Sequence, residues 1–268
     1  MKRKYSRQSF LGEQSDEIFA SAKIGFIGLG GGGSHIVQQF AHLGLGNFVL
    51  VDFDRIEDTN LNRLVGGTVR DVEHNELKTT IAQRVIRQVN PDASIQVLNT
   101  TWQESAKQLR DCDLIFGCLD SYHQRRDLEI FTRRYLIPYI DIGMDVHKIN
   151  DNYYISGQVI LSLPGNLCMH CMKFLNEDRL TKEAKKYGDA GGNPQVIWPN
   201  GVLASSAVGI GVQILTSWGS MSTGAIYLEY DGSDGTINSS PRMKYLETAV
   251  CTHFKDTEAM GDPFYANS

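Results

Sequence analysis

The chain has 268 residues, 26 Lys plus Arg against 31 Asp plus Glu for a net charge of −5, and 41% hydrophobic residues. That length can bury a large core in one domain. The acidic balance excludes a protein that works by wrapping nucleic acid, because phosphate binding needs a cationic face, and the basic cluster Lys2, Arg3, Lys4 and Arg7 is too short to reverse it. Five cysteines, an odd number with one tight pair, fit a reducing compartment and a metal site better than a disulfide framework. With no charged segment leading into an apolar signal core at the start, a cytoplasmic protein is expected.

After a polar arm, residues 23–29 form a β-rich run ending in glycines, and residues 33–43 carry helical periodicity. Residues 47–52 are a second strand ending on an acid. Residues 77–89 are a helix closed by Asn90-Pro91. Strands follow at 94–98, 113–118 and 138–142, with a helix at 121–136 between the last two. This alternation predicts βαβ units and a mostly parallel, Rossmann-like sheet flanked by helices, with ligands beyond the carboxyl ends of its strands. Past residue 150 the pattern changes. A long strand at 153–163 and a charged helix at 177–187 precede a Gly-rich hinge at 189–192. An uncharged helix at 202–218 and an antiparallel ribbon from residue 225 complete the order. The uncharged helix is interrupted by Ser205, Ser206, Gln213, Thr216 and Ser217, so it reads as a central or interface helix and not as a membrane span.

The chemistry begins at Gly28-Leu29-Gly30-Gly31-Gly32-Gly33-Ser34, between the first strand and the first long helix. Glycines are needed where backbone must turn sharply and let phosphate oxygens reach N–H groups at a helix start. Asp52 ends the next strand, 22 positions after Gly30, the place for an acid that binds ribose hydroxyls. These residues point to an adenine nucleotide without separating NAD from ATP. No constellation for a nicotinamide pocket or hydride transfer follows. Instead Asp52, Asp54, Asn60, Asn62, Arg63, Lys78 and Asp120 fall on loops or helix starts at the ligand edge of the sheet, a set suited to a triphosphate, its Mg²⁺ and a departing pyrophosphate.

In order along the chain, Arg7, Gly28 to Ser34, Asp52-Phe53-Asp54, Asn60-Leu61-Asn62-Arg63, Lys78 and Cys118-Leu119-Asp120 resemble the MoeB/ThiF branch of the ubiquitin-activating-enzyme superfamily. The resemblance runs from about residue 5 to about residue 254. It implies ATP-dependent adenylation of the C-terminal carboxylate of a small ubiquitin-like protein ending in Gly-Gly. Carried over position by position, Gly28, Gly30, Gly31, Gly33 and Asp54 belong to the nucleotide site and Asp52 binds the ribose. Asn60, Arg63 and Lys78 contact phosphates, and Asp120 organises Mg²⁺ and pyrophosphate. Arg7 resembles the arginine that reaches into a neighbouring subunit's site, which implies a homodimer. Leu64 departs from the pattern, since relatives commonly carry Gln after the arginine.

A C-terminal carboxylate has a pKa of about 3.3–3.7 and is already ionised at neutral pH. Attack on the α-phosphorus therefore needs charge neutralisation and alignment, not a base, and His35, His42, His74, His123 and His147 are left out of catalysis. Cys168 and Cys171 can share a tetrahedral Zn²⁺ but fill half a structural site. Cys251 and His253 are the chosen partners, with His170 a competitor for the fourth place. Relatives often use two Cys-x-x-Cys pairs, so Cys251-Thr252-His253 is a departure. No cysteine stands between 172 and 201, where some superfamily members carry a thioester nucleophile, so the chain is expected to stop at the acyl-adenylate. The expected organisation is an arm at 1–22, an ATP-binding half at 23–150, a zinc-, partner- and dimer-forming half of the same domain at 151–260, and a tail at 261–268. Adenylation of a peptide or tRNA-bound carboxylate, and a catalytically silent nucleotide-binding scaffold, remain as alternatives.

Overall fold

A computed structural model describes residues 4–185, 194–216, 218–219 and 224–254. The expected hinge at 189–192, the end of the expected charged helix at Tyr187 and the tail at 261–268 lie outside the described residues. The arm is not a loose segment where it is described. A 3₁₀ turn over Ser6–Leu11 and a helix α1 (Ser15–Ser21) dock on the domain because Leu11 and Phe19 are buried. Lys4 Nζ and Gln8 Nε2 donate to the carbonyls of Val89 and Leu43 at 2.7 and 3.1 Å.

Then follow β1 (Lys23–Ile27), α2 (Gly31–Leu43), β2 (Asn47–Val51), α3 (Val69–Glu73), α4 (Lys78–Val89), β3 (Ser94–Leu98), α5 (Ala106–Leu109) and β4 (Leu114–Gly117). The chain continues through α6 (Tyr122–Arg134), β5 (Tyr139–Ile149), β6 (Asn152–Ser162), α7 (Glu177–Lys185), α8 (Ile197–Leu215), β7 (Ile226–Asp231) and β8 (Thr236–Ser239). The eight strands of the described residues form one sheet in the order β3-β2-β1-β4-β5-β6-β7-β8. The first five are parallel, and β6, β7 and β8 extend the same sheet antiparallel to their neighbours. The chain leaves β1 for β2 on one side and reaches β4 on the other. This switch point is where an open α/β sheet leaves a crevice for ligands.

Side chains alternate between the faces with the strand period of two. Phe26, Phe48, Leu50, Phe116 and Ile140 face one core with α2, α4 and α8. Ile27, Val49, Val51, Ile115 and Tyr139 face a second core, covered by α6 and the segment around Met169 to Leu175. Phe26 stacks on Phe48 and Phe116 with ring centroids 5.5 and 5.8 Å apart. Helix α8 buries Leu203, Ala204, Ala207, Val208 and Ile210, which explains its lack of charge. It starts earlier than position 202, because Pro199 falls in the first turn, where a missing N–H breaks no helical bond. Strand β5 outruns the expected 138–142 because it pairs with β6 from Tyr139 to Ile149, a tertiary gain that local pattern does not report. Among the described residues, no helix is long and apolar enough to cross a membrane.

Candidate active site

A cavity of about 370 Å³ opens where β1, β2 and β4 end, walled by Gly28, Gly30, Gly31, Asp52, Asp54, Asn60, Arg63, Lys78 and Asp120 among others. Nine of the residues singled out in the sequence thus meet at one place. Gly33 does not face it. Its Cα lies so close to the Gly28 carbonyl that a Cβ would collide with that oxygen, so this glycine serves helix-to-strand packing. Gly28 has φ +82, and a Cβ there would meet the Cys118 carbonyl at 2.5 Å; both the left-handed backbone and the close approach of β4 demand glycine.

Asp52 is 9% exposed. Its Oδ2 accepts the Leu29 N–H at 2.6 Å and its Oδ1 the Asp54 N–H at 2.8 Å, so the carboxylate ties the glycine turn to the end of β2. Burial pushes its pKa up, against the opposing pull of the Lys78 charge and these N–H donors. The Lys78 ammonium pairs with Asp54 at 2.8 Å. Lys78 N–H donates to the Asp54 carbonyl, and Arg55 bridges to Leu77; this short backbone clasp brings a helix start 24 residues on back to Asp54. Asn60 Oδ1 accepts the Glu57 N–H in a capping box. Arg63 donates to the Thr59 carbonyl at 2.6 Å and to Asn62 Oδ1 at 3.0 Å. Asp120 is exposed on the cavity wall and accepts no hydrogen bond among the described residues, a carboxylate with both oxygens available to a cation. Leu64 is 5% exposed, lines the cavity and packs with Ile56 and Ile81, so the position that departs from the family pattern contributes packing beside Asn60 and Arg63. Arg7 is exposed and lies outside the lining of this cavity.

The sequence reading missed Thr100 to Gln103, Gln124, Arg125 and Asn200, all on the cavity wall. Arg125 sits in a helix so hydrophilic that it reads as surface, yet it is 7% exposed. It donates to the Leu119 carbonyl through Nε at 2.8 Å and forms an ion pair with fully buried Asp141 at 3.4 Å. Asp141 also accepts from the Tyr139 hydroxyl at 2.9 Å. An acid inside the apolar strand Tyr139-Ile140-Asp141-Ile142 was the available signal, since a buried carboxylate needs a partner. Through Leu119, Arg125 holds the turn that carries Asp120.

Beside the second core, donor atoms of Cys168, Cys171, Cys251 and His253 all lie within 4.8 Å of one another. The two thiol sulfurs of the Cys168 pair are 3.6 Å apart, and His253 Nδ1 is 3.5 and 3.3 Å from them. Ligands of a tetrahedral Zn²⁺ would be separated by about 3.8 Å for two sulfurs and about 3.5 Å for sulfur and nitrogen. The donor set therefore fits zinc. His170 is outside the group and stacks on the His253 ring at 5.2 Å, so the geometry groups His253 and not His170 with the three cysteines. Burial pushes the Cys251 thiol up, but hydrogen bonds from the Phe254 and His253 N–H groups and from the Cys168 and Cys171 thiols together hold it below its usual range, whereas burial pushes the Cys168 thiol up. Cys112 is pushed up to about 12 by burial. Cys118, on the cavity wall, is pushed up by burial too. Neither has the character of a thiolate nucleophile. His123 is no cavity group either: its Nδ1 pairs with Glu183 of α7 at 2.6 Å.

Over 142 residues the chain is 30% identical to molybdopterin-synthase adenylyltransferase of Haemophilus influenzae, covering 51% of this chain and 58% of that protein. It is 26% identical to ubiquitin-like modifier-activating enzyme 5 of Dictyostelium discoideum, covering 58% and 42%. It is 30% identical to tRNA threonylcarbamoyladenosine dehydratase of Escherichia coli, covering 49% and 50%. The chain thus spans about half the length of the curated relatives it matches. Among solved structures, E. coli MccB with MccA superposes at a TM-score of 0.72 with 19% identity, covering all of this chain and 74% of that one; that likeness is one of fold. The model of the ThiF family matches residues 1–251, and the chain belongs to the ThiF family.

Proposed function

We propose that this protein is an ATP-dependent adenylyltransferase that activates the C-terminal carboxylate of a small ubiquitin-like protein ending in Gly-Gly, and that it works as a homodimer. The observation that carries the reading is the convergence of Asp52, Asn60, Arg63, Lys78 and Asp120 on one cavity at the start of α2. The names of the first two relatives above, an adenylyltransferase and a ubiquitin-like modifier-activating enzyme, support it.

Asp52, with both oxygens already oriented by N–H donors, takes the ribose hydroxyls. The free N–H groups at the start of α2 and the cations of Arg63 and Lys78 take the phosphates. Binding of a triphosphate draws Lys78 from Asp54 toward the stronger anion. The substrate carboxylate arrives ionised, so the task of the site is to cancel repulsion between two anions and hold them in line. Each preorganised contact of this kind is worth about 10²–10³ in rate. Asp120, fixed by Arg125 through the Leu119 carbonyl, holds Mg²⁺, which supplies further neutralisation of the leaving pyrophosphate when bound. The four-ligand cluster holds a structural Zn²⁺. With Cys168, Cys171 and Cys251 committed to metal and Cys112 and Cys118 kept as thiols by burial, the product is the acyl-adenylate, passed to a separate acceptor.

The test is pyrophosphate exchange into ATP with candidate carriers. Exchange that appears with an intact Gly-Gly terminus and vanishes on deleting it supports the reading. Exchange with a peptide or a carboxylate-bearing tRNA alone moves the substrate class, and nucleotide binding without exchange under any condition reduces the protein to a scaffold.

A further inference from the structure

Trp102, Gln103 and Gln124 form a chain of hydrogen bonds on the cavity wall whose polarity is set by chemistry. Trp102 Nε1 contacts Gln124 Oε1 at 2.7 Å. An indole nitrogen can only donate, so the Gln124 atom facing it must be the carbonyl oxygen. Gln103 Nε2 donates to the same oxygen at 2.7 Å, which orients the second amide in turn. The result is a locked pair. Gln124 has its NH₂ group available and Gln103 has its carbonyl oxygen available, and neither atom meets another partner among the described residues. Trp102, 7% exposed and 5.7 Å from the Phe131 ring, is itself immobilised.

The place of this pair relative to Asp52 matters. The Asp52 N–H donates to the Leu98 carbonyl at 3.2 Å, so the loop leaving β3, which carries Thr100 to Gln103, lies beside the acid assigned to the ribose. The first turn of α6 brings Gln124 to the same wall. The phosphate-binding groups Arg63 and Lys78 come from other segments, and Thr100 to Gln103 and Gln124 contribute no cation. A base carried on a ribose at Asp52 therefore reaches the glutamine pair.

We infer that Gln103 and Gln124 read the base as adenine: Gln103 Oε1 accepts from the exocyclic amine and Gln124 Nε2 donates to the neighbouring ring nitrogen. Adenine carries this donor-beside-acceptor pattern on either side of its exocyclic amine, as N6 with N1 or N6 with N7. Guanine places O6, an acceptor, where the amine would be, and sets oxygen against oxygen at Gln103. Two acceptors set against each other leave both without a donor, and that mismatch disfavours guanine. Trp102 is a positioning residue here, since it prevents the Gln124 amide from flipping.

This inference rests on the nucleotide-binding reading above, and direct binding separates the two. Affinities for ATP, GTP and the triphosphate of purine riboside, which lacks the 6-amino group, are measured by calorimetry with the full chain and Mg²⁺, with no carrier present. The expected result is ATP bound at least 10-fold more tightly than GTP. Gln103→Leu should weaken ATP about 10-fold and leave purine riboside triphosphate unchanged, because that ligand never made the contact. Gln124→Leu should weaken both of these ligands, and Trp102→Phe should shrink the ATP-to-GTP ratio. Melting curves for each variant confirm that it is folded, and exposed Gln103 is the variant least able to disturb the core. ATP preference that survives Gln103→Leu and Gln124→Leu overturns the base readout and leaves the nucleotide site standing. Failure of the wild-type protein to bind any of the three overturns both.

Discussion

Glu129 of α6 accepts the backbone N–H of Met169 at 2.9 Å, although the two are 40 residues apart and both are fully buried. The same Glu129 oxygen accepts the Ser162 hydroxyl at 2.6 Å. One turn along, Arg133 donates to the Asn166 and Leu167 carbonyls and lies 3.6 Å from the Glu129 carboxylate. Met169 stands between Cys168 and Cys171 of the candidate metal cluster. The helix whose first turn walls the candidate cavity therefore also grips the loop of Cys168 and Cys171 from within the core, so the two candidate sites share one element.

Breaking that grip has a definite cost. Removing one partner of a buried ion pair leaves an uncompensated charge, so Glu129→Ala is expected to destabilise the protein by about 3–5 kcal/mol. Urea denaturation measures this, and the metal content of the purified variant should fall with it. A loss below about 1 kcal/mol would mean that Arg133 and the loop find other partners.

Asp120→Ala removes an exposed side chain, so stability should change by less than about 0.5 kcal/mol. Exchange of pyrophosphate into ATP should fall by at least about 10². Near-normal exchange would take Asp120 out of the mechanism.

Arg7 is exposed and is not among the residues that wall its own cavity; in the proposed homodimer it would serve the neighbour's site. Arg7→Ala should lower exchange by about 10². Mixing it with Asp120→Ala should restore activity, because such dimers contain one site with an intact Asp120 and a donated Arg7. Mixtures as inactive as either parent would place Arg7 outside the reaction.

The purified protein should contain one Zn²⁺ per chain. Stripping it should cost about 2 kcal/mol or more, a fall of about 4–8 °C in Tm. Cobalt substitution should report three thiolates and one imidazole, reduced by one thiolate in Cys251→Ser. Unchanged melting after metal removal would dismiss a structural role.

Asp71 offers a pH signature remote from the active site. Hydrogen bonding to Arg84, together with Thr68, holds its pKa down to about 2 against the burial that raises it. An unfolded Asp titrates near 3.9. Between these values the unfolded state binds more protons, so the stabilisation is complete above about pH 4 and is lost as pH falls through 2. Asp71→Asn should remove about 1–2 kcal/mol at pH 7 and flatten the stability profile over that window, as followed by urea midpoints.

Local pattern alone determined the alternation of strands and helices, the glycine turn, the acid ending β2, and the ordered polar residues of the cavity, because strand period, turn chemistry and helix starts are short-range properties. Cys168, Cys171 and Cys251 were legible for the same reason: thiols carry chemistry wherever they stand. What tertiary structure decided depends on contacts between distant segments. Arg125 and Gln124 sit in a helix that reads as solvated, and only packing against β5 and the loop after β3 turns them inward. The length of β5 was set by its partner β6, and the grouping of His253 rather than His170 with the three cysteines by where the last described segment folds back. Gly33 was moved from ligand binding to packing by the approach of β1. Sequence spacing measures distance along the chain, whereas a buried charge or an oriented amide is defined by what lies across from it.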